Sequence, residues 1–152
     1  MGIHLKGILI TFLVLLPNAL FLLGGPRHVP SNLAGDPILF TIVERIGQAA
    51  CFTLPVVLGK KIAEQKLDWT VLLMGICLAI YYLCWIRYFT GGREFSLLFQ
   101  PLGFIPIPMA VFPILYFVLL GIWLRSPLFI VAAVLLAFGH FANTWHVYTQ
   151  VQ

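Results

Sequence analysis

WTVLLMGICLAIYYLCWIRYF, residues 69–89, decides the fold. The run holds a single charge, Arg87, and that charge lies near its end. About 20 apolar residues wound as a helix cross a hydrocarbon core of roughly 30 Å. Four further runs have the same character: residues 7–23, 37–59, 108–124 and 127–148. Backbone N–H and C=O groups in lipid must find partners within their own segment, so runs of this length are expected as helices. The period-two alternation of a transmembrane barrel is absent.

Composition agrees. The 152 residues are 61% hydrophobic and 9% charged, with a mean hydropathy of +1.02. A soluble domain carries roughly 25% charged residues, and so few charges could not cover a water-soluble surface. The reading is an all-α integral membrane protein, a bundle of about five transmembrane helices forming one domain over residues 1–152. No internal repeat or separate soluble domain is visible.

The connections carry turn and cap signals. Asp36 and Pro37 read as N-cap and first residue of the second span. Asp68 reads as the cap of the third span, and Ser126 as the cap of the fifth. Residues 93–107 fit no regular helix. Pro101, Pro106 and Pro108 interrupt an otherwise apolar stretch, so a proline-broken, interfacial or re-entrant piece is expected before helix four. The first run has the basic start and apolar body of a leader peptide. Its body is long, Pro17-Asn18 interrupts it and no A-x-A-like site follows, so it is read as a retained helix.

Nine lysines and arginines give a net charge of +4. They are scattered through connections, without the basic face interleaved with aromatics that nucleic-acid binding requires. Lys6, Lys60, Lys61, Lys66 and Arg125 fall on one side of the five-span topology, and Arg27, Arg87 and Arg93 on the other. Positive charge favours the cytoplasmic side. The expectation is a plasma (inner) membrane protein with its N-terminus inside and its C-terminus outside. Cys51, Cys77 and Cys84 lie in apolar runs without a CxxC spacing, and read as small buried residues.

Polar residues inside the spans point to function. They are costly in lipid and normally face the bundle interior or a wet cavity. Thr41, Glu44, Gln48, Cys51 and Pro55 recur at helical spacing on one face of the second span, flanked by Arg45. Tyr81, Cys84, Trp85 and Tyr88 share a face of the third, with Arg87 near its end. His140, Asn143 and Thr144 share a face of the fifth, followed by His146. Asn18 stands beside Pro17 in the first. Nearly every costly residue among them falls in the outer half of the expected bundle. Each also has a structural reading: Glu44 as a clasp with Arg87 or His140, the arginines as snorkelling anchors, the aromatics as an interfacial belt, and Asn18 as a partner for backbone freed by Pro17.

A metal centre needs three or four ligands. Only Glu44, His140 and His146 are available, and HExxH is absent, so no metal and no cofactor is expected. A P-loop and a nucleophile elbow are missing as well. The expected pocket residues are Asn18, Glu44, Arg45, Gln48, Tyr81, Arg87, His140 and Asn143. The leading expectation is binding or transport of a small amphiphile, lipid headgroup or ion. The arginines would hold an anionic group, and Glu44 would carry a proton or an ammonium. One alternative is an intramembrane enzyme acting on a lipid or isoprenoid, with Glu44 and His140 as acid and base. The other is a non-catalytic subunit paired with a second copy or another membrane protein.

Overall fold

The computed structural model describes residues 5–151, which are all-helical apart from loops and a single bridge between Leu102 and Ile105. The helices are α1 (Leu5–Leu23), α2 (Ile38–Val57), α3 (Gly59–Glu64), α4 (Trp69–Thr90), α5 (Pro108–Trp123) and α6 (Pro127–Val151). Four of them, α1, α2, α4 and α6, are long and apolar enough to cross a membrane. The fifth apolar helix, α5, has 16 residues and reaches about 24 Å at 1.5 Å per residue.

Connections gather at two ends. At a lysine end, Gln65 donates to the Trp123 carbonyl (2.7 Å), the Trp123 indole donates to the Lys66 carbonyl (2.9 Å), and Lys61 donates to that of Arg125 (3.4 Å). At a glycine–proline end, the Arg27 amide donates to the Arg93 carbonyl (3.2 Å) and the Ala34 amide to Gln150 Oε1 (2.6 Å). Helices α1, α4 and α6 therefore run towards the glycine–proline end, and α2 and α5 run back.

Two helix pairs are built on opposite plans. Between α2 and α6, glycines admit backbone against backbone. A Cβ on Gly47 would overlap the Leu136 backbone, and one on Gly139 would overlap the Phe40 carbonyl and the Glu44 backbone. Close approach of this kind is how helices associate where lipid supplies no hydrophobic drive. Helices α4 and α5 bury large side chains instead. Tyr116, Phe117 and Leu120 of α5 are buried, as are Tyr81, Trp85 and Tyr88 of α4. Helix α5 hides a larger share of itself than any other helix, so its short apolar length is enclosed mainly by protein.

Proline shapes α1. Pro17 has no N–H, so the Leu13 carbonyl four residues earlier loses its helical partner. The Tyr82 hydroxyl of α4 donates to that carbonyl at 2.7 Å. Asn18 was the residue expected to satisfy the freed backbone. Its amide goes to the Val14 carbonyl and the Tyr81 hydroxyl instead.

Helix ends follow local chemistry. Asp68 caps α4 by accepting from the Thr70 amide at 2.8 Å, and Ser126 Oγ accepts from the Phe129 amide at 3.4 Å. Asp36 does not cap α2. Pro37 occupies the N-cap, with no side-chain cap bond, and its carbonyl receives the Thr41 amide. The connection KKIAEQKLD is not all loop either. Its lysines, alanine and glutamate are good helix formers, and α3 winds over Gly59–Glu64. Helix α6 runs beyond Tyr148 to Val151.

Arg125 closes α5 in a left-handed conformation (φ 46°). The Ser126 amide reaches the Gly121 carbonyl and the Arg125 amide that of Ile122, which is the double bond pattern of a Schellman stop. Residues 93–107 form no regular helix, only a 3-10 turn at Phe95–Phe99 and the tight turn closed by Leu102 and Ile105. Phe104 in that turn is 96% exposed.

Candidate functional site

The α2–α6 seam carries the polar cluster. Glu44 enters it about two turns from Ile38, roughly 9 Å along the helix. Both of its carboxylate oxygens are engaged from α6: Oε1 lies 2.7 Å from His140 Nδ1, and Oε2 accepts from Asn143 Nδ2 at 2.6 Å. Asn143 Nδ2 also lies 3.5 Å from Thr41 Oγ1, and Asn143 is buried. Gly139 makes this possible, because its missing side chain lets α6 lie directly on the Glu44 backbone. An ionised carboxylate can only accept, so a neutral His140 paired with it carries its hydrogen on Nδ1 and keeps Nε2 as an acceptor.

His140 faces a cavity of about 250 Å³ between the helices. Its polar lining is Asn18, Gln48, Tyr81, Trp85, His140 and Thr144, and its apolar wall includes Phe21, Phe52, Phe117, Ile114 and Leu136. Leu98 and Phe99, from the 3-10 turn, line it as well. Helix α4 meets α5 and α1, while α2 packs on α6. The cavity thus lies between Tyr81 and Trp85 on one side and Gln48 and His140 on the other. On the α4 side, the Asn18 amide donates to the Tyr81 hydroxyl at 2.9 Å, and Trp85 Nε1 is buried with no partner among the described residues.

Not every expected pocket residue arrives there. Asn18, Gln48, Tyr81 and His140 line the cavity; Glu44 and Asn143 stand behind His140. The two arginines do not enter it. Arg87 spreads its guanidinium over backbone, donating to the Gln100 carbonyl at 2.7 Å and the Pro101 carbonyl at 3.2 Å. It ties the irregular 93–107 segment to α4. Arg45 is exposed and donates to Gln48 Oε1 at 3.1 Å. That bond uses the acceptor of the Gln48 amide and leaves its N–H groups for the cavity. Of the two partners expected for Glu44, it is His140 and not Arg87 that it meets, and Asn143 joins it.

Trp85, Phe52 and Phe117 were not in the expected pocket. Trp85 was visible, being four residues from Tyr81 on the same helix face, but read as part of an aromatic belt. Phe52 and Phe117 carried no signal that separates a cavity wall from ordinary packing. No protein family, curated protein or solved structure matches the chain.

Proposed function

We propose that the chain is a membrane-embedded binding protein for a small neutral amphiphile, held in the cavity between α4 and the α2–α6 pair. The carrying observation is the lining itself: apolar and aromatic walls with a few convergent hydrogen-bonding groups, the usual make-up of a small-molecule site. An anionic headgroup fits less well than a neutral one, because Arg45 and Arg87 lie outside the lining and both already have partners. A free ion fits less well still, since Glu44 has both oxygens occupied by α6.

The test is mass spectrometry of the organic extract of protein purified in mild detergent. An amphiphile should accompany the wild-type chain and be lost from His140→Gln and Gln48→Leu, while their melting temperatures stay close to wild type. Retention of the same amphiphile by both variants would exclude the cavity as its site. If both variants fail to fold, the cluster is a structural clasp.

One observation favours a second reading. Glu44 holds the Nδ1 side of His140 while the ring lines the cavity, the arrangement by which a carboxylate orients an imidazole for proton transfer. Thr144, one turn along α6, lines the same space. Incubation with extracted membrane lipids would decide. A new product made by the wild-type chain, but not by Glu44→Gln or His140→Gln, would establish an acid–base enzyme in place of a binding protein.

A further inference from the structure

The cavity's polar groups are mostly donors looking for acceptors. The Tyr81 hydroxyl accepts from Asn18, so its own proton remains to be given. Trp85 Nε1–H, on a residue 7% exposed, has no acceptor within hydrogen-bond distance among the described residues. Across the cavity, Gln48 Oε1 is taken by Arg45, which leaves amide N–H groups. Beside it stands His140, whose hydrogen on Nδ1 goes to Glu44 and whose Nε2 is an acceptor. A buried donor without an acceptor costs roughly 1–3 kcal/mol, which Trp85 would recover from a ligand acceptor, and the half-buried Gln48 amide offers its N–H groups to a second one. Between them stand Phe52 and Phe117, rings 5.7 Å apart and tilted, on a surface without charge. Aromatic walls favour a flat ring against them.

Resting on the binding reading above, we infer that the occupant is a para-quinone with an apolar tail. Its two carbonyl oxygens lie at opposite edges of a flat ring with nothing polar between. One is received by Tyr81 and Trp85 of α4, the other by the Gln48 amide N–H groups of α2. A fatty acid would bring one carboxylate to a lining with no arginine or lysine. A fatty alcohol would satisfy one wall and leave the other bare.

The experiment is isothermal titration of the detergent-purified full chain with three probes: a para-benzoquinone carrying one isoprene unit, decanol and decanoate. The quinone should bind with a Kd at least tenfold below those of decanol and decanoate. Tyr81→Phe and Gln48→Leu should each weaken it about tenfold, the worth of one good hydrogen bond, with little effect on decanol. Saturable quenching of tryptophan fluorescence by the quinone should largely disappear in Trp85→Phe. Should that variant not fold, Gln48→Leu, changed on a different wall, still decides. Saturable decanol binding equal to or tighter than the quinone's would overturn the quinone assignment and leave the amphiphile site standing. So would quinone binding indifferent to both Tyr81→Phe and Gln48→Leu. If none of the three probes binds, both the quinone assignment and the amphiphile site fall.

Discussion

The α2–α6 seam and the α4–α5 seam solve the same problem in opposite ways. In the first, side chains are removed so that two backbones touch at Gly47 and Gly139, and a carboxylate is gripped by a histidine and an asparagine. In the second, bulk stands where the first has glycine: Tyr81, Trp85 and Tyr88 of α4 and Phe117 and Leu120 of α5 are large and buried. Both seams are apolar runs in the sequence. One fails when atoms are added, the other when they are taken away. The difference also places the cavity, which opens where the close seam and the bulky seam face each other.

Adding atoms to the close seam should have the largest effect. Gly139→Leu drives a side chain into the Glu44 and Phe40 backbone, and the expected result is no folded, monodisperse species on size exclusion in detergent. Gly139→Ala, milder by design, should still cost about 3 kcal/mol, near the upper range for overpacking. A melting temperature unchanged in Gly139→Ala would show that the helices can separate freely, and the contrast between the seams would be lost.

Removing atoms from the bulky seam comes next. Phe117→Ala should lower stability by about 3 kcal/mol through the void it leaves, read as a drop in thermal melting. The same alanine at Leu72, exposed on α4, should move the melt little.

The polar grip is expected to contribute least. Glu44→Ala deprives His140 Nδ1 and Asn143 Nδ2 of their acceptor, costing about 2 kcal/mol. Glu44→Gln keeps an acceptor for one of them and should cost about half as much, with thermal melting of the pair as the measurement. Equal effects from the two variants would mean that the carboxylate's second oxygen adds nothing to the seam.

The helices were legible because apolar length is a property of consecutive residues. Trp69 to Phe89 reads as a span with no knowledge of its neighbours, and Asp68 and Ser126 announce caps that form. The grouping of Glu44, Gln48 and Cys51 on one face of α2 was legible for the same reason, since helical spacing is local. Partners were not. Arg87 is bonded to carbonyls of Gln100 and Pro101, in a segment whose three prolines told of irregularity without giving its path. Gly47 and Gly139 look like neutral fillers of apolar runs until the backbone that each admits is seen. Trp85 reads as an interfacial aromatic until the cavity beside it is known.

Tyr82 matters to α1 because residue 17 is proline. The Leu13 carbonyl accepts the Tyr82 hydroxyl at 2.7 Å and, with Pro17 bringing no amide, depends on it. In a chain with alanine at 17 that amide would return and share the carbonyl with the hydroxyl, so the carbonyl would keep a partner without Tyr82. The harm done by Tyr82→Phe thus depends on what occupies position 17. Two sites far apart in the chain and on different helices are thermodynamically epistatic. Drift at one changes which residues the other tolerates, because both answer to the Leu13 carbonyl.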